Sequence, residues 1–233
     1  MENQAILLKV KQRLNKLASD DYDNIETWQI LEAFNKGVVS WCRRNLHGLN
    51  VKQTGDEQSK SRIDDLQVIL VDVPITLTKR DGYFDTQLPP DYFEWKRVSA
   101  KGINDCCTKP RPMVITLAEE ANVDELNRDF NKKPSFEWGE TYCTMKTNSL
   151  KIHTNNEFDV VEGVLYYYKQ PRHIEILGVQ DPYTGIVSAA EVQSEFKDDL
   201  VELFVDEAAK IISGDIESFN QQQTATQQVE GNN

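Results

Sequence analysis

From Ser188 to Ser213 the chain carries one continuous apolar stripe. Val192, Phe196, Leu200, Leu203, Phe204, Ala208, Ile211 and Ile212 recur at helical steps, the signature of one face of an α-helix. Ser188-Ala189-Ala190-Glu191 has the spacing of a capping box, and Gly214 suits a helix end. The pattern predicts a helix of about six turns, roughly 37 Å long at the usual rise, enough to cross a domain. A stripe of that length must be covered, and the start of the chain offers two matching faces. Ile6, Leu7, Val10, Leu14 and Leu17 mark the first. Trp28, Leu31, Phe34 or Asn35, Val38 and Trp41 mark the second, with Asp23 and Glu26 at capping-box spacing before it and Gly48 as a stop. An N-terminal helical hairpin over 1–50 is therefore expected, with the C-terminal helix over 188–214 packing on it to complete a bundle.

Between these helices the period changes. Val51 to Asp65 is polar and reads as a loop or hinge. Beyond it, Gln67 to Val73, Ile75 to Thr78, Phe93 to Lys101, Met113 to Leu117, Tyr142 to Lys146, Leu150 to His153 and Val160 to Lys169 have strand composition. Asp81-Gly82 and Thr147-Asn148 are hairpin turns, and Cys106-Cys107 reads as a turn ahead of Pro110. Residues 51–187 thus form a β-rich insertion of six to eight strands, with a short acidic helix near 118–130. The extension 215–233 is Gln/Asn-rich and is expected to be disordered in isolation. The fold class is α+β.

Composition narrows function chiefly by exclusion. The net charge is −12 over 233 residues, the wrong sign for a surface built to wrap nucleic acid. No apolar run approaches the ~20 residues of a membrane span, and Met1-Glu2-Asn3-Gln4 has no secretory character. Four cysteines in such a chain are no disulfide framework, so an intracellular, reducing site of synthesis is expected. The glycines form no phosphate-binding loop and no nucleophile elbow. Cys42 with His47, Cys106 with Cys107, and Cys143 alone lack metal-site spacing. His153 and His173 sit at strand ends, where ordinary hydrogen bonding is expected. Glu119-Glu120 and Asp198-Asp199 are sequence neighbours that point about 100° apart on a helix, so neither makes a convergent acid–base pair. No catalytic, metal-binding or cofactor-binding residue is assigned. The candidates that remain are for contact: Arg43 and Arg44 at a helix end, and Trp138, the tryptophan expected to be exposed and so a natural anchor for a partner.

The order of these elements resembles the adaptor proteins of the tailed-bacteriophage neck, below the portal, especially the tubular-tail adaptor family and the ring proteins of crAss-like phages. The likeness rests on Leu7 to Leu17, on Thr27 to Arg44 with Leu31, Asn35 and Trp41 on one face, and on Leu88-Pro89-Pro90-Asp91-Tyr92-Phe93 followed by Arg97-Val98. It rests also on Val164-Leu165-Tyr166-Tyr167-Tyr168-Lys169-Gln170-Pro171 and on the helix from Glu195-Phe196 to Ile212. The segment 118–130 and the Gln-rich tail have no counterpart in that family. The resemblance implies a non-enzymatic virion protein, assembled in the host bacterial cytoplasm. It would form a cyclic homo-oligomer, commonly twelvefold, touching the portal and neighbouring neck or tail rings, with phage DNA passing through its lumen without specific binding. The Gln221-Gln222-Gln223 segment would then order on a neighbouring subunit at assembly. Other virion parts, such as a head-completion or baseplate protein, share most of these features. From a different class, a soluble hydrolase using carboxylates from distant segments is the competing expectation.

Overall fold

The computed structural model describes residues 1–17, 25–47, 64–215 and 226–227. It comprises two units. Met1–Val68 and Pro171–Asn233 form a helical unit, and Ile69–Gln170 forms a β unit. The expected α+β class and the packing of the C-terminal helix on the N-terminal pair both hold.

In the helical unit, α1 (Asn3–Leu17) and α2 (Thr27–Leu46) pack against α4 (Asp198–Asp215). The predicted stripes are the buried ones. Ile6, Val10 and Leu14 of α1, Ile30, Phe34 and Val38 of α2, and Leu200, Phe204 and Ala208 of α4 are buried. Phe204 is the hub, with Trp41, Phe196 and Phe34 meeting it edge-on at 5.4, 5.2 and 6.0 Å, a geometry that aligns ring edges with ring faces. Ion pairs fix how the helices align along their lengths. Lys9 pairs with Glu202, Arg13 Nε donates to Asp206 at 2.8 Å, and Arg44 approaches Glu207 at 3.0 Å.

Two helix starts differ from expectation. The N-cap of α2 is Glu26, not Asp23, and Gln29 Oε1 accepts from the Glu26 amide at 3.0 Å. The last helix begins at Asp198, ten positions after Ser188, and spans 18 residues. Val192 does continue the stripe, but its backbone is bridged to Glu175, so long-range pairing overrides the local period. The helix starts where Asp198 and Asp199 complement its dipole. Gly48, nearly all of the expected loop from Val51 to Asp65, and most of the extension 215–233 with Gln221 to Gln223 fall outside the described residues.

The β unit is one sheet of eight strands: β1 (Leu70–Pro74), β2 (Thr78–Arg80), β3 (Tyr83–Gln87), β4 (Tyr92–Asn104), β5 (Cys107–Leu117), β6 (Glu140–Lys146), β7 (Ser149–His153) and β8 (Asp159–Lys169). The spatial order is β1-β8-β4-β5-β6-β7-β3-β2. Every pairing is antiparallel except β5 with β6, which needs a long crossover; this carries α3 (Val123–Arg128). The sheet must curl. Laid flat, its outer strands would lie about 34 Å apart at the usual strand spacing. Yet β1 and β2 are those outer strands, and only Ile75, Thr76 and Leu77 join them, a reach of at most about 14 Å. The connection crosses β8 at Gly163, whose carbonyl accepts from the Ile75 amide at 3.0 Å. A Cβ there would meet Ile75 Cγ1 at 2.8 Å, so this crossing requires glycine. Phe84, Ile115, Leu150, Ile152, Leu165 and Tyr167 lie in the enclosed core.

One turn moves. The hairpin bends at Asp105-Cys106, and β5 begins at Cys107 and runs through both Pro110 and Pro112. Val114 donates away from β4, to the Gly139 carbonyl at 2.7 Å. By alternation Pro112 faces the same way, along an edge that no described strand covers, and Pro110 lies where the β4–β5 register shifts. Proline at 112 removes a donor that would template another strand. The phrase Pro89-Pro90-Asp91-Tyr92 docks on β8. Tyr167 Oη donates to Asp91 at 2.8 Å, the Gln170 amide donates to the Asp91 carbonyl at 2.8 Å, and Tyr92 stacks on Tyr167 at 5.8 Å.

Candidate functional site

The segment that follows β8 folds into an arm. Backbone bridges join Glu175 to Val192 and Gln180 to Val187. At the tip, Asp181 accepts from the Tyr183 amide and from Thr184 Oγ1, both at 2.8 Å. Those bonds hold its carboxyl below the usual carboxylate range. Gly185, at φ +70°, closes the turn. The base of the arm is fastened by two asparagines. Asn35 of α2 brackets Ile174, accepting from its amide at 2.9 Å and donating to its carbonyl at 3.3 Å. Asn3 of α1 is fully buried and donates to the carbonyls of both Glu175 and Val192 at 2.9 Å.

Between α2 and this arm runs a groove of about 1060 Å³. Trp28, Leu31 and Val39 line the helix side; Ile174, Val179 and Ile186 line the arm. Trp28 meets Tyr183 edge-on at 6.0 Å across it. Lys36 and Arg43, both exposed, stand on the helix wall with Glu32 one turn before Lys36, and His173 and Glu175 lie on the arm side. Apolar side chains line its walls, and charged groups of both signs, Glu32, Glu175 and Asp181 with Lys36, Arg43 and Arg44, border them.

The predicted contact residues fall into two places. Arg43 and Arg44 are neighbours at the end of α2 and both border the groove, but Arg44 turns to buried Glu207 while Arg43 stays exposed. Trp138 belongs to the β unit and is 77% exposed. It sits on a tight turn in which Ser135 and Glu140 bridge, the Trp138 amide donates to Ser135 Oγ at 3.4 Å, and Gly139 takes φ +69°.

Several of the residues weighed for chemistry are engaged in structural contacts. Glu120 pairs with Lys151 at 2.9 Å. Hydrogen bonds from Thr144 and Lys151 hold its carboxyl low, the opposite of a general acid. Asp198 takes the N-terminal ammonium at 2.6 Å. His153 lies buried beneath Tyr142, ring centroids 4.6 Å apart, with Nε2 3.1 Å from Thr144 Oγ1; burial pushes its pKa down. Cys42 and Cys143 are buried thiols pushed up to about 12 by desolvation, far from the thiolate state that nucleophiles and metal ligands need. Among the described residues no cluster of His, Cys, Asp or Glu could hold a metal ion, and no helix is long and apolar enough to cross a membrane.

The apolar face of the groove's helix was legible in the sequence, and the arm was not. Its signals were present: Gly178, Asp181-Pro182 and Gly185 are turn formers at hairpin spacing. That stretch fell within the β-rich insertion expected over 51–187, and the capping-box pattern at Ser188 drew the returning side of the arm into the helix. No protein-family model matches the chain, and no curated protein matches it.

Proposed function

We propose that this chain is a structural virion protein that forms a ring in the neck of a tailed phage, between portal and tail, around the channel through which DNA leaves. The observation that carries the reading is the arrangement itself. A β unit is inserted between the second and last helices of one bundle, and the phrases that carry the family resemblance bear structural weight together. Asp91-Tyr92 docks on Tyr167 and Gln170, Asn35 fastens the segment after β8, and Trp41 meets Phe204 at the bundle centre.

The role needs no bond-making chemistry from the chain, and the engaged states of Glu120, Asp198 and His153 are in keeping with that. Charge supports the setting. Copies at −12 each concentrate negative charge around a lumen, so phosphates are repelled and the duplex slides without adhering. The test is co-assembly of the full chain with purified portal, viewed by electron microscopy. The expected outcome is a cyclic layer of this protein stacked on the portal. A chain that leaves the portal bare at micromolar concentration overturns the proposal.

A further inference from the structure

We propose that residues 119–129, in the crossover between β5 and β6, form a hinged lid that lifts as a unit from β6 and β7 and uncovers His153 while the sheet beneath stays folded. The lid lies within the segment that the family resemblance leaves unmatched, so its fate is independent of the neck reading.

This stretch holds a single turn at Glu120–Asn122 and then α3, and no residue of either is buried. Six residues are too few for a helix that sustains itself, and Val123 and Leu126 are only half-buried. Among the described residues, two side chains latch it to the β unit. Glu120 takes hydrogen bonds from Lys151 Nζ at 2.9 Å and from Thr144. Asn127 Oδ1 accepts from Tyr142 Oη at 2.6 Å and from Asn155 Nδ2 at 2.9 Å. The ends are anchored more firmly. The Ala118 amide donates to the Cys143 carbonyl at 2.9 Å, and on the far side Ser135 bridges Glu140 and Phe136 is buried. Firm ends with a lightly latched middle suit a segment that opens locally, well below the free energy of global unfolding.

Both latches close on the residues of β6 that meet His153. Asn127 holds Tyr142, which is 2% exposed and stacks on the imidazole, and Glu120 holds Thr144, whose Oγ1 lies 3.1 Å from His153 Nε2. Thr144 has one hydroxyl proton. Giving it to Glu120 leaves its oxygen to accept from His153 Nε2–H, so the closed lid also fixes the tautomer of the ring. Tyr83 of β3 and Lys151 of β7 complete the surroundings, with Asp85 acting on Lys151 and Asp124 on Tyr142. Glu120 and Lys151 pull the imidazole in opposite directions, and burial outweighs both, so the closed state favours the neutral ring. Lifting the lid admits water to it, and acid therefore favours opening.

The test is labelling of the full chain with diethyl pyrocarbonate at pH 7, read residue by residue by peptide mass spectrometry, since the reagent takes neutral imidazoles that solvent reaches. His47 and His173, both exposed, are internal references. His153 is expected to react at least about 10-fold more slowly than either. Glu120→Ala and Asn127→Ala should each speed its labelling by about 5-fold, the usual contribution of one hydrogen bond, and neither substitution lowers helix propensity. Hydrogen exchange, corrected for its intrinsic pH dependence, is the second readout. From pH 7.5 to pH 5.5, residues 119–129 should lose protection while β8 keeps it, and His153→Gln should remove that difference. A wild-type His153 as reactive as His173 overturns the lid, as do latch variants that label at the wild-type rate. Loss of protection in β8 together with the lid makes the event global unfolding and overturns it too. Equal protection of 119–129 at both pH values overturns the proton dependence.

Discussion

Two residues in the β unit sit in closely confined positions. At Gly163 an added methyl would lie 2.8 Å from Ile75 Cγ1, 2.9 Å from Ile75 Cδ1 and 3.4 Å from Leu77 Cδ1. Gly163→Ala is expected to cost about 1–3 kcal/mol by overpacking, measured by urea unfolding, and the Ile75→Ala/Gly163→Ala double variant should lose less than the two singles summed. His153 of β7 is the second. Tyr83 of β3, Tyr142 and Thr144 of β6, Lys151 beside it, and Glu120 surround it. Burial is the largest influence on its pKa and lowers it below the ordinary 6.5. Between the folded and the ordinary value the unfolded chain binds more protons, so stability falls as pH drops. The contribution is complete above pH 6.5 and is lost as pH falls through the folded value. Glu120 acts in the same direction only at or below the usual carboxylate range. Unfolding free energies at pH 5, 6, 7 and 8 should therefore decline toward acid, and His153→Gln should flatten that slope; an unchanged slope rules out the assignment. Sequence identified His153 as a strand-end residue in an ordinary hydrogen-bonding role, which it is. Its stacking under Tyr142 depends on the register of β6 with β7 and was not legible.

Among elements, α4 is held by a buried carboxylate from each side. Asp206 faces Arg13 of α1, and Glu207 faces Arg44 of α2. Glu207 is 6% exposed, so removing its partner strands a charge away from water. Arg44→Ala is expected to destabilise the helical unit by about 3 kcal/mol, while Arg44→Met with Glu207→Met should recover most of that loss, both read by urea denaturation. These pairs explain a limit of pattern reading. Arg44 was legible as a helix-end cation, but its partner lies 163 positions on and is found only once the helices pack. The last helix shows the converse limit. Its stripe is real over Phe196 to Ile212, yet Val192 and Ser188 are claimed by the returning strand of the arm, because backbone pairing and the Asn3 clamp outweigh a local cap. β5 was shortened in prospect for a similar reason. Pro110 and Pro112 look like breakers, and they are tolerated because Pro112 faces an uncovered edge and Pro110 sits at a shift of register.

For the whole molecule, the division into helices, a β-rich insertion and a returning helix was legible because each change of hydrophobic period marks a change of unit. The closure of the sheet was not, since strand order is a matter of partners rather than of any one segment. Neither was the groove, which exists only because two asparagines fasten an irregular arm. The order of strands has one further bearing. Leu70 opens β1 and pairs with Tyr168 near the end of β8, so the chain departs from the helices and rejoins them at adjoining points, about 5 Å apart across an antiparallel pair. Replacing Leu70–Lys169 by a few glycines and serines should leave a helical remnant that folds cooperatively, with the far-ultraviolet spectrum of a pure α protein. By the same logic this stretch is a cassette held by a single pair of stitches. A different sheet spliced in at the same two points should leave the helical unit folded.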